Sequence, residues 1–127
     1  MYKRQVVNIA AIKDENWSHV RNDIDSVTTA VHIKGKVIKV ILETGLLSGL
    51  EIKRVCEICN EIGVNFVKTS TGMNGGATPD MVEYLKENVN GIKIKASGGI
   101  RDKATAIQLI EAGAIRLGTS AGVSIVQ

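Results

Sequence analysis

A chain of 127 residues can hold one domain with a sizeable core and is too short for two of ordinary size, so residues 1–127 are read as a single unit. Hydrophobic residues make up 44% and aromatics only 3%, which argues against disorder and for an interior of Ile, Val, Leu and Ala, as in parallel-sheet α/β proteins. The formal charge of +3 is small, and the scattered cations and scarce aromatics argue against nucleic acid as a partner and suit an anionic small molecule.

Neither a signal peptide nor an apolar run of about eighteen residues is present, so no membrane partner is expected and a cytoplasmic location is the default. Cys56 and Cys59 spell C-x-x-C inside an amphipathic pattern. Two small buried residues explain that pair better than redox chemistry, and without a second cysteine pair a zinc site is not expected.

In chain order, the first apolar run is Val6 to Ala10, and Asp14 is expected to open a helix carrying Trp17, Val20, Ile24, Val27 and Val31 at steps of three and four. Gly35 stops it. "VIKVILE" at 37–43 reads as a strand, and "SGLE", Ser48 to Glu51, is a capping box opening a helix that turns Leu50, Val55, Ile58 and Ile62 inward and ends at Gly63. A strand over Phe66 to Ser70 follows, then a loop to Thr78 as N-cap and Pro79 as first helical residue, with that helix running to about Asn88. "IKIKAS" at 92–97 is the next strand, and Asp102 and Gly113 bound the next helix. "IRLGTS" at 115–120 is the last strand, and "AGVSIVQ" reads as the first turn of one more helix.

The later strands recur about every 25 residues, one strand plus one helix, which requires right-handed crossovers and a parallel sheet. An open doubly wound sheet and a piece of a (β/α)8 barrel both satisfy this pattern. Barrel chemistry sits at the C-terminal ends of the strands, where Glu43 and Thr44, Lys68 to Thr71, Lys95 to Gly99, and Gly118 to Gly122 all fall.

Alternation puts Phe66, Lys68 and Ser70 on one face of their strand, so Lys68 points into a dry place. A buried ammonium is costly unless paired, as with Glu43, or deprotonated, and a neutral lysine is a nucleophile that forms imines with carbonyls. Lys95 stands 27 residues on, one βα unit away at equivalent depth. Bringing a lysine from about 10.4 to near 7 costs roughly 4 to 5 kcal/mol, which desolvation plus one like charge can supply. Lys93 shares the face of Lys95 but lies deeper and reads as structural. The glycine turns "SGGIRD" and "GTSAG" lie between strands and helix starts, where backbone N–H groups and a helix dipole would hold a phosphate.

"VKTSTG", "KASGGIR" and "RLGTSAG", in this order and spacing, together with "KVILET", resemble deoxyribose-phosphate aldolase, a class I aldolase family on a (β/α)8 TIM barrel. The resemblance runs from about Val6 to Val126 and implies a partial barrel of five parallel strands. By position it makes Lys68 the Schiff-base lysine and Lys95 the second lysine that perturbs it. It places Thr71, Gly98, Gly99, Gly118, Thr119 and Ser120 around a phosphorylated sugar. It implies cleavage of 2-deoxy-D-ribose 5-phosphate to D-glyceraldehyde 3-phosphate and acetaldehyde without a metal or other cofactor.

Three departures accompany the resemblance. Three βα units that the family places before Val6 are not in this chain, so two sheet edges are expected to be raw and a homo-oligomer is expected. Arg4 stands where the family has an aspartate on its strand, and the loop after Lys68 is about one residue shorter. The alternatives are a half-barrel without activity that folds only by oligomerising, and another phosphate-binding barrel enzyme.

Overall fold

The computed structural model describes residues 2–71 and 76–119. Five strands, β1 (Tyr2–Val6), β2 (Val37–Ile41), β3 (Phe66–Lys68), β4 (Lys93–Ser97) and β5 (Arg116–Gly118), form one parallel sheet in the order β1-β2-β3-β4-β5. The connections run through α1 (Ile9–Lys13) and α2 (Trp17–Ile33), then α3 (Gly49–Ile62), α4 (Pro79–Asn88) and α5 (Lys103–Ala112). A sheet whose spatial order equals its chain order winds in one direction only. That excludes the doubly wound alternative and leaves the partial barrel.

The core lies between this sheet and its helices. Ile38, Val40 and Leu42 with Val67, Ile94 and Ala96 point to the helix layer, where they meet Val20, Ile24, Ile52, Val55, Ile58, Leu85 and Leu109. Cys56 and Cys59 are free thiols buried in the same core, with burial pushing the Cys56 thiol up to about 12 and the Cys59 thiol higher still. They are packing residues.

Local signals set the helix boundaries. The Ser48–Glu51 capping box is formed in both directions, Gly63 closes α3 in the left-handed conformation, Thr78 caps α4 ahead of Pro79, and Asp102 caps α5.

Three expectations need correction. The first strand is Tyr2–Val6 rather than Val6–Ala10, because the Asn8 side chain accepts from Ala11 N and starts α1 inside the apolar run. The long helix opens at Asn16, not Asp14, since Asp14 closes α1 and Glu15 is left-handed (φ 56°). Leu50 is 81% exposed rather than inward. The buried stripe of α3 runs Ile52, Val55, Cys56, Cys59, and Leu50, five residues before Val55, falls off it.

Candidate active site

The other face of the sheet is charged. Register aligns Arg4, Lys39, Phe66 and Lys93 in one row and Val6, Ile41, Lys68, Lys95 and Arg116 in the next, nearer the strands' C-terminal ends. Side chains at matched positions of a parallel sheet lie on the same side, about 4.8 Å apart from strand to strand. Lys68 and Lys95 are direct partners in this register, at the depth the 27-residue spacing implied.

Beyond β3 and β4 the chain ends are stitched by side chains. Thr69 Oγ1 and Ser70 Oγ both donate to the Ser97 carbonyl, at 3.1 and 3.0 Å, and Ser97 N donates to Thr69 Oγ1 at 3.0 Å. All three residues are buried, so the two lysine-bearing strands leave the sheet at a fixed separation.

Lys68, Thr71, Gly98, Gly99, Gly118 and Thr119 line one cleft of about 320 Å³ together with Ser97, Ile100 and Arg101. Six predicted positions are thereby gathered from three strand ends. Lys95 stands beside the cleft: a Cβ built on Gly118 would lie 3.2 Å from Lys95 Cε and 3.7 Å from Nζ. Ser120 lies outside the described residues.

The glycines are required by shape. Gly98 and Gly99 take φ of 92° and 70°, and a Cβ on Gly76 would meet the Gly98 carbonyl oxygen at 2.9 Å, where Ala77 N already donates at 2.8 Å. The loops after β3 and β4 thus close on one another backbone to backbone. The start of α5 is different from the anion site the sequence suggested, because Asp102 accepts from Thr105 N there. Arg101 and the glycine turn line the cleft itself.

Burial first, then the Lys95 charge and that of Arg4, hold the Lys68 amine below the usual lysine range, while Glu43 acts in the opposite sense. Glu43 is itself buried and left-handed (φ 54°), a conformation that disfavours a side chain. Its carboxylate accepts from Thr71 N and, at 3.1 Å, from Thr71 Oγ1, fixing the residue that opens the loop after β3. Arg4 is a cation on the inner face, in the row of Lys39.

Two groups escaped the sequence reading. Arg101 lines the cleft, and the motif "SGGIRD" already contained it. Lys39 is the largest fully buried side chain, 1% exposed, and lies on the same face as Glu43 by the alternation that singled out Lys68. Among the described residues no three His, Cys, Asp or Glu side chains gather as metal ligands, and no helix is long and apolar enough to cross a membrane.

No protein-family model matches the chain. Over 124 residues, 96% of the chain, it is 49% identical to a deoxyribose-phosphate aldolase of Actinobacillus succinogenes, of which it covers 54%. Its structure superposes on an aldolase designated QR15 with TM-score 0.87 at 45% identity, covering 96% of this chain and 55% of that one. A tetrameric deoxyribose phosphate aldolase from Aeropyrum pernix matches with TM-score 0.78 at 33% identity, over 84% of this chain and 47% of that one. The chain spans about half the length of the curated relatives it matches. The chain is thus similar to the deoxyribose-phosphate aldolases along nearly all of its own length and about half of theirs.

Proposed function

We propose that this chain carries the imine-forming machinery of a class I aldolase, with Lys68 as nucleophile and Lys95 as the neighbouring cation. The observation that carries the proposal is the register pairing of these two lysines at the rim of a cleft lined by glycine turns and Arg101. The proposed substrate is 2-deoxy-D-ribose 5-phosphate, cleaved reversibly in the cytoplasmic breakdown of deoxyribonucleosides. Its phosphate would lie against Gly98, Gly99, Gly118, Thr119 and Arg101, and Thr71 would face the sugar.

The neutral Lys68 amine attacks the C1 aldehyde of the open-chain sugar, and loss of water gives an iminium ion. The C3 hydroxyl then gives up its proton to solvent as the C2–C3 bond breaks, releasing D-glyceraldehyde 3-phosphate. The bonding pair is left as an enamine. Protonation at C2 and hydrolysis free acetaldehyde and restore the amine. Lys95 lowers the proton affinity of Lys68, and in this reading it would also serve as the proton donor.

Incubation with acetaldehyde and borohydride, followed by mass analysis, is expected to leave one reduced adduct, lost in Lys68→Ala. No adduct, or one that survives that substitution, would refute the assignment. We further propose a homo-oligomer, supported by the tetrameric Aeropyrum pernix relative and by Val6, 47% exposed on the open edge strand β1. A monomer in light scattering would count against it.

A further inference from the structure

Glu15 and Glu43 are the two non-glycine residues with positive φ among the described residues, at 56° and 54°. Glu15 is exposed, in the turn between α1 and α2. Glu43 is 4% exposed and lies just past the C-terminal end of β2, where a glycine would take the same turn without strain. A buried carboxylate on a strained backbone is unfavourable on both counts unless its oxygens are engaged. They are engaged by Thr71, whose N–H donates to the carboxylate and whose Oγ1 donates to it at 3.1 Å.

Up to that point the strand ends are held by other means. Leu42 N donates to the Lys68 carbonyl and Thr44 N to the Thr69 carbonyl, both at 2.9 Å, while Thr69 and Ser70 are tied to Ser97 on the other side. Thr71 is the next residue, it lines the cleft, and it is held through the side chain of Glu43. Glu43 does not assist the nucleophile, because its charge favours a proton on Lys68 and opposes the effect of Lys95.

We propose that Glu43 is a positioning residue for the cleft: its buried carboxylate engages the Thr71 hydroxyl proton, so that Thr71 meets a ligand as the acceptor for a sugar hydroxyl. A hydroxyl carries one proton and two lone pairs, so once it donates to Glu43 it has only acceptance to offer. A ligand with a keto, ether or ester oxygen at the same place finds no donor in Thr71. The left-handed turn aims the carboxylate at the loop, which accounts for an acid where glycine would be easier.

The inference deepens the proposed substrate assignment and rests on it, but its test involves no imine, so the two fail separately. Binding to the 127-residue chain is followed by NMR for 2-deoxy-D-ribitol 5-phosphate, which has no aldehyde, and for n-pentyl phosphate, which has no hydroxyl on its chain. Glu43→Gln keeps an oxygen for Thr71 N but presents an amide N–H to Thr71 Oγ1, reversing that hydrogen bond. It is expected to weaken the polyol phosphate about fivefold, as for one neutral hydrogen bond, and to leave pentyl phosphate within about twofold. In a Thr71→Val background the same substitution should change neither. Equal weakening of both ligands, no change in either, or an effect that persists without the Thr71 hydroxyl would overturn the proposal. With no ligand present, the Thr71 amide proton should move upfield in Glu43→Gln, and one that stays in place overturns the proposal equally. If the unsubstituted chain binds neither phosphate, the substrate assignment fails and the amide alone decides the role of Glu43. If Glu43→Gln does not fold, Glu43→Gly suits the left-handed turn and should give the same upfield move, whose absence counts against the proposal in the same way.

Discussion

The two faces of the sheet are made from the same residues taken alternately, and they obey different rules. On the helix side Ile38, Val40, Val67, Ile94 and Ala96 are buried among aliphatic side chains. On the inner side stand Arg4, Lys39, Lys68, Lys93, Lys95 and Arg116, with Lys39, Lys93 and Arg116 over the ring of Phe66. Apolar burial stabilises at about 25 cal/mol per Å², whereas crowding ammonium groups costs free energy at every approach. One face therefore holds the sheet together while the other is held in an unfavourable state of charge, which is what an amine needs in order to be nucleophilic near neutral pH.

If this division holds, truncating the helix side should damage folding far more than removing a cation from the inner side. Ile94→Ala is expected to cost about 3 kcal/mol, with the urea midpoint falling accordingly. Lys95→Met, one residue along the same strand, is expected to leave the midpoint unchanged or raise it, since it relieves repulsion and keeps the volume. Its effect should appear in chemistry instead. With the strongest neighbouring charge on Lys68 gone, the neutral fraction of that amine near pH 7 falls, and borohydride trapping should slow about tenfold for each pH unit by which Lys68 rises. Loss of stability in Lys95→Met comparable to Ile94→Ala would erase the contrast.

The pH dependence of stability separates the faces again. Lys39 is lowered to about 8 in the folded chain from 10.5, so between those values the unfolded chain binds more protons and stability rises with pH. The buried thiols oppose this from the helix side. Cys56 is raised from 9.0 to about 12, so its contribution is complete below 9 and is lost as pH climbs toward 12. Melting temperature is thus expected to increase from pH 8 to 9 and to flatten or turn over above 9. Lys39→Met should remove most of the increase and raise the melting temperature at pH 7 by a few degrees.

What was legible in the sequence follows the same division. The helix side was readable because burial repeats at fixed steps, and helix ends such as Ser48–Glu51 and Thr78–Pro79 carry their own hydrogen-bond chemistry. β1 was misplaced because its residues, "YKRQV", look like surface: its strand character comes from pairing with all of β2, a tertiary effect that local composition does not carry. On the inner face Lys68 and Lys95 stood out through their equal depth and neighbouring glycines, while Lys39 is a lone charge within the apolar run "VIKVILE" with no local signal beside it. Only the register, which sets it one row below both, shows that it belongs with them.

The smallest predicted effect tests how closely the inner face is fitted. A methyl group added at Gly118 would lie 3.1 Å from Ser97 Cβ and 3.2 Å from Lys95 Cε, tight enough that a neighbour must give by a few tenths of an ångström. Ser97 is held by Thr69 and Ser70, so the end of the Lys95 chain is the part that moves. Gly118→Ala should therefore cost no more than about 1 kcal/mol, at the low end for added core volume. The displaced Lys95 amine should nevertheless alter the Lys68 titration midpoint, in the direction of a weaker shift. A variant that loses stability but keeps the Lys68 midpoint would show that Ser97, not Lys95, yields, and that the position of the second amine is set by the strands rather than by the space Gly118 leaves.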